Sequence, residues 1–162
     1  MKEIPKTTSS ILISVIGESK ASPTNEKYAE QVGALLAEAG AVVVCGGMTG
    51  VMEKVCKGAK SRGGTTIGIL PGSNNVDANQ WVDYPICTGI GDARNAIVVQ
   101  AGQAVIAIGG SYGTLSEIGH ALSANKRLVG LNTWDLDTER LNSKHMVICQ
   151  TAVEAVEAAL KF

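Results

Sequence analysis

The run Ile11-Leu12-Ile13-Ser14-Val15-Ile16 has an apolar side chain at every position but one. A strand with one wet face would alternate apolar and polar residues. A continuous run must be covered on both faces, which is the condition of a parallel strand inside an α/β sheet. Similar runs recur at Ala41–Cys45, Thr65–Leu70, Ala104–Ile108 and Arg127–Leu131, with shorter ones at Tyr84–Thr88 and His145–Cys149. Helical patterns separate most of them. The first runs to about Glu38, capped by Ser22 or Thr24, with Tyr28, Val32, Leu35, Leu36 and Ala39 on one face and Gly40 as its stop. Others span Val51 to about Lys60, Ala93–Ala101 (with Asp92 as N-cap), Thr114 to about Ala124, and Thr151–Leu160. This alternation predicts an open, doubly wound parallel sheet of about six or seven strands with helices on both faces.

At 162 residues the chain is long enough for one self-sufficient core. Residues 1–10 are polar and read as a flexible N-terminal leader, and 11–162 as a single domain. Lys plus Arg (14) nearly balance Asp plus Glu (15), and aromatics are 4%. With no basic stripe and few stacking platforms, nucleic acid is not the expected partner. No apolar run approaches the roughly 20 residues needed to span a bilayer, so no membrane role is expected. The four cysteines, Cys45, Cys56, Cys87 and Cys149, have no zinc-ligand spacing. Three lie in apolar stretches and read as reduced core thiols of a cytoplasmic protein; no metal site is expected.

The chemistry-bearing feature is a glycine turn between strand and helix, found three times: Gly17-Glu18-Ser19, Gly46-Gly47-Met48-Thr49-Gly50, and Gly109-Gly110-Ser111-Tyr112-Gly113 followed by Thr114 and Glu117. In a parallel sheet such turns sit at the carboxyl ends of strands. There glycines let backbone approach a ligand, and a following helix points free N–H groups and its positive dipole end into the crevice. The same Thr114-x-x-Glu117 also reads as a capping box, which would satisfy those N–H groups internally. No Gly-x-x-x-x-Gly-Lys-Ser/Thr is present, and no Gly-x-Gly-x-x-Gly follows the first strand, so neither a P-loop NTPase nor an ordinary dinucleotide site is expected. The polar stretch Ser73–Trp81 follows a strand and reads as a lid or specificity loop or as an ordinary surface loop. Trp81 either stacks on a ring or pins that loop.

Gly46-Gly47-x-x-Gly50-Val51-Met52, Arg94-Asn95 and Gly109-Gly110-x-x-Gly113-Thr114-x-x-Glu117 together resemble the Rossmann-like superfamily of the Lonely guy (LOG) phosphoribohydrolases. The resemblance covers about residues 11–160. Within it the chain looks closest to the molybdenum cofactor carrier proteins. It departs from the hydrolase motif Pro-Gly-Gly-x-Gly-Thr-x-x-Glu, with Gly109 in place of Pro, Ser111 in place of the second Gly, and Asn95 in place of a Lys. What the resemblance implies is a Rossmann-like homo-oligomer that binds a phosphate-bearing small molecule. The implied ligand is the molybdenum cofactor (molybdopterin), held without chemistry and passed to molybdoenzymes, and no catalytic cofactor is implied. The ligand-binding set is Gly17, Glu18, Ser19, Gly46, Gly47, Met48, Thr49, Gly50, Arg94, Asn95, Gly109, Gly110, Ser111, Tyr112, Gly113, Thr114 and Glu117. Under the alternative, a LOG-type hydrolase of nucleoside 5′-monophosphates, Arg94 and Glu117 would be catalytic.

Overall fold

The computed structural model describes residues 10–137, 140 and 146–161. Seven strands form one sheet: β1 (Leu12–Gly17), β2 (Val42–Cys45), β3 (Thr66–Leu70), β4 (Tyr84–Cys87), β5 (Ala104–Ile108), β6 (Arg127–Leu131) and β7 (Met146–Cys149). Their order is β4-β3-β2-β1-β5-β6-β7, and every pairing is parallel. This is the doubly wound Rossmann-like architecture the sequence predicts. Helices α1 (Pro23–Glu38), α2 (Val51–Ser61) and α5 (Ala152–Leu160) pack with one core layer. Helices α3 (Arg94–Ala101) and α4 (Tyr112–Ser123) pack with the other. The leader at 1–9 and the expected strand start at His145 lie outside the described residues.

The central strands are mostly buried, and all five residues of β5 are inaccessible. Each Val or Ile among them contributes roughly 1.5–3 kcal/mol over leaving it in water. Helices α1 and α2 cross where Gly33 faces the Val55 carbonyl and Gly58 faces the Glu30 carbonyl, so neither position has room for a Cβ. Lys54–Glu26 and Lys57–Glu30 pairs flank that crossing. Ser22 caps α1, accepting from the Asn25 amide, and Gly40 follows its last turn at φ +75°. Cys45, Cys56 and Cys149 are buried free thiols, as expected, whereas Cys87 is exposed on the edge strand. No described helix is long and apolar enough to cross a membrane.

Two helix starts differ from the sequence reading. Helix α4 begins at Tyr112, not Thr114, so Ser111 is the N-cap and its side chain makes no capping hydrogen bond. Glu117 then lies in the second turn, too far along to close a capping box with Thr114. Asp92 is not an N-cap either; it sits inside a 3-10 turn, Gly91–Ala93, that runs into α3. At α3 a 3-10 turn precedes the helix where the polar residue was expected to cap it; at α4 the helix itself begins two residues earlier and its first amides stay uncapped.

Candidate functional site

The turns after β1, β2 and β5 leave three adjacent strands and meet on one rim. The Gly110 amide donates to Glu18 Oε2 at 3.1 Å, and Asn25 Nδ2 donates to Glu18 Oε1 at 2.8 Å. Asn132 Nδ2, after β6, donates to Asn25 Oδ1 at 2.7 Å. On the other side Val51 N donates to the Glu18 carbonyl and Thr49 Oγ1 to the Ser19 carbonyl, both at 3.0 Å. The crevice between β1 and β5 is the point where the connections turn to opposite faces, the usual ligand position in open α/β sheets. One consequence limits the phosphate cradle: the Gly110 amide already has an acceptor, the chain's own Glu18 carboxylate.

Beyond it the start of α4 is open. No acceptor in the protein takes the amides of Tyr112, Gly113 and Thr114 among the described residues. Ser111, Tyr112 and Gly113 are exposed, Thr114 is buried, and the Ser111 and Thr114 hydroxyls lie 3.4 Å apart. Three free first-turn amides at a dipole's positive end are an arrangement that can accept an anion. Arg94 adds a charge. It is 7% exposed; among the described residues its Nε and Nη1 have no hydrogen-bond partner, and its Nη2 reaches only Met48 Sδ at 3.9 Å. A buried guanidinium with two orphaned nitrogens is costly unless something pairs with it. Glu117, also 7% exposed, feels this charge but accepts no bond from it. Burial pushes the Glu117 carboxyl up to about 7, and the Arg94 charge only partly opposes that. Burial likewise draws Arg94 below the usual guanidinium range, against the pull of Glu117.

A family model described as the SLOG cluster4 family matches residues 10–158. This chain belongs to the SLOG cluster4 family. An uncharacterised protein of Archaeoglobus fulgidus is 44% identical over 119 residues, covering 74% of this chain and 78% of its own. Among solved structures, the molybdenum cofactor binding protein of Rippkaea orientalis is 38% identical, with a TM-score of 0.86, over 93% of this chain and 96% of that one. The molybdenum cofactor carrier protein of Chlamydomonas reinhardtii is 32% identical, with a TM-score of 0.84, over 93% and 96%. The superfamily resemblance carried by the glycine turns and Arg94 therefore holds.

In this SLOG cluster4 chain the protein itself fills the space before most of the glycines. A Cβ on Gly46 would overlap the Arg94 guanidinium and Met52 Sδ; on Gly47 it would meet Gly68, and on Gly50 the backbone of Glu18 and Ser19. Gly17 faces the Ile108 carbonyl and Val51, and Gly109 faces Asn25 and Glu18. Gly110 faces the Trp134 indole, whose Nε1 would be 2.5 Å from an added Cβ. Of the glycines in these three turns, Gly113 alone looks into open space, its nearest neighbour being Ser111 Oγ at 3.8 Å. Asn95 is half-buried beside Arg94 on α3. Trp81 packs against the core with its Nε1 buried and unpaired, so it pins its loop. That loop is stapled onto the second turn: Asn79 donates to the Gly47 and Met48 carbonyls.

Three rim residues, Asn25, Asn132 and Trp134, are not among the sequence-predicted site residues, and Asn79 enters the sequence reading only as a member of the Ser73–Trp81 loop. Asn25 and Asn79 tie loops together and carry no pattern that a single sequence displays. Trp134 did leave a signal. It is a large aromatic in a polar stretch just after β6, and so at the same carboxyl rim. Its Nε1 donates to the Ser111 carbonyl at 3.3 Å, and it lines a cleft of about 350 Å³ with Gly110, Asn132, Thr133 and Asp135. Among the described residues no cluster of three or more His, Cys, Asp or Glu could hold a metal ion.

Proposed function

We propose that this protein binds the molybdenum cofactor non-covalently and acts as its cytoplasmic carrier, storing it, shielding it and passing it to recipient molybdoenzymes. The observation that carries this reading is Arg94: a buried cation with two unpartnered nitrogens on the rim that α4 opens onto with three free amides. A phosphate monoester would accept charge-assisted hydrogen bonds from the amides and offer the Arg94 cation an opposite charge. The likeness to molybdenum cofactor proteins at 38% and 32% identity supplies the ligand. In this reading the anion rests on the Tyr112–Thr114 amides with the Ser111 hydroxyl beside it. Arg94 supplies charge, and Met48, Thr49, Asn95 and the 73–81 loop shape the approach. The chain works as an oligomer, in keeping with Tyr84 and Ile86 of β4 standing 61% and 47% exposed on the sheet edge.

The test is co-elution. Purified protein is incubated with released cofactor and passed through gel filtration, which also reads the assembly size. Molybdenum and pterin should travel with the protein. Ser111→Asp keeps a favourable N-cap but places a negative charge on the anion site, and Arg94→Met removes the cation; both should lose the cofactor while eluting as wild type does. Cofactor-free wild-type fractions at micromolar protein would end the proposal. In parallel, AMP and a cytokinin nucleotide are assayed for base release, the activity expected of the hydrolase alternative; none is expected.

A further inference from the structure

The cleft between Gly110 and the 132–135 loop differs in chemistry from the anion site it adjoins. It is lined by Asn132, Thr133, Trp134 and Asp135, with only backbone on the Gly110 side. Asp135 is exposed, and among the described residues its carboxylate accepts no hydrogen bond and pairs with no cation. Trp134 is held against the β5 turn by its bond to the Ser111 carbonyl, and it is half-buried against the second core layer. The indole is therefore fixed, with part of its surface given to the cleft. An aromatic surface, an acceptor-only carboxylate and an amide in one cleft describe a site for a flat heterocycle that presents N–H donors.

We propose that this cleft is the ring subsite of the cofactor site, and that Asp135 reads a 2-amino-4-oxo-pyrimidine edge while Trp134 packs on the ring. The inference rests on the carrier reading for its ligand, and goes beyond it in naming which end of the ligand lies where. An amino-lactam edge offers two neighbouring donors, a ring N–H and an exocyclic amine, and a carboxylate offers two oxygens to match them. The sign of the charges fixes the orientation. Arg94 and the α4 amides attract the phosphate end, whereas Asp135 repels an anion and attracts donors. A ligand lying the other way would place phosphate against carboxylate and leave Arg94 unpaired. Pterins and guanine share this edge, and the two sources are separated by the choice of probe.

The test uses the full chain and pairs of probes that differ at one group. 6-Hydroxymethylpterin is compared with 6-hydroxymethyllumazine, which has an oxygen in place of the 2-amino group. GMP is compared with IMP, which lacks the amine, and calorimetry reads the affinities. Loss of a hydrogen bond to a charged group predicts that lumazine and IMP bind about tenfold to a hundredfold more weakly than their partners. Asp135→Asn should erase the preference, because a carboxamide presents a donor where the edge needs an acceptor, and Asp135→Glu should keep part of it. A larger amine effect for the pterin pair identifies a pterin site, and for the nucleotide pair a guanine site; either supports the edge-reading role. Equal affinity within both pairs, or an unchanged preference in Asp135→Asn, overturns it. Co-elution separates the two claims. If wild type and Asp135→Asn both retain the cofactor fully, this inference falls while the carrier reading stands. If wild type retains none but still prefers pterin to lumazine, the carrier reading falls and the subsite stands.

Discussion

Two turns that look alike in sequence, Gly46–Gly50 after β2 and Gly109–Gly113 after β5, end up in opposite states. The first is closed by the protein. Arg94 lies across Gly46, Gly68 abuts Gly47, Asn79 takes the Gly47 and Met48 carbonyls, and the β1 turn covers Gly50. The second is closed only at its start, where Glu18 takes the Gly110 amide and Trp134 covers the same residue. From Ser111 onward it is open. Glycine thus marks close approach of something to backbone, and that something can be the chain's own atoms. In the first turn the glycines make room for the buried Arg94 guanidinium; in the second the helix amides themselves face outward. In the proposed function the two turns contribute differently, one by positioning a charge and the other by presenting donors.

The contrast breaks most visibly at Gly50. Its φ of +64° lies in the left-handed region, and a Cβ there would strike the Glu18 and Ser19 backbone. Backbone cannot step aside as a flexible side chain can. Gly50→Ala should therefore cost about 3 kcal/mol or more, read as a lower midpoint in urea with an unchanged slope. A loss under about 1 kcal/mol would mean that the first turn is as free as the second.

Glu117 joins the two turns through Arg94 and gives the next effect. Its folded-state carboxyl is raised to about 7, above the ordinary value of about 4.3 in an unfolded chain. Between those values the folded chain holds a proton that the unfolded chain has released. Stability from this group is thus full at low pH and declines as pH rises through 7. The full difference is about 4 kcal/mol at most. Glu117→Gln removes the titration, so the variant should gain stability over wild type at pH 8 and lose that advantage near pH 5. Parallel curves for the two proteins across that range would place Glu117 in water, outside the Arg94 site.

How far the sequence discloses this molecule depends on whether a residue's partner is local. The strands were legible because apolar runs such as Ala104–Ile108 need no knowledge of what covers them. The meeting of three turns on one rim followed from parallel topology. Arg94 and Glu117 were legible through family resemblance, although their burial and missing hydrogen bonds were not. The start of α4 at Tyr112 was missed because Thr114 and Glu117 imitate a capping box. Glu18 illustrates the deeper limit. Its carboxylate fills a backbone donor contributed from 92 residues away, and no local pattern announces a pairing across that separation. Trp134 left a signal as a large aromatic just after an expected strand, but its contact with Gly110 and Ser111 emerged only from the fold.

Gly113→Ala is the smallest effect and the most pointed, because its sign is opposite to that of Gly50→Ala. Gly113 is the second residue of α4, it has no positive φ, and nothing but Ser111 Oγ at 3.8 Å stands near an added Cβ. Alanine restricts the unfolded chain and suits a helix better, so stability should rise by about 0.5 kcal/mol. The anion contact runs through the backbone amide, which alanine keeps, so cofactor retention on the column should match wild type. A fall in stability would show that this glycine too is packed against its own chain. Unchanged stability with lost retention would show that the ligand comes within methyl distance of Gly113, placing the phosphate one residue earlier along the turn than the free amides imply.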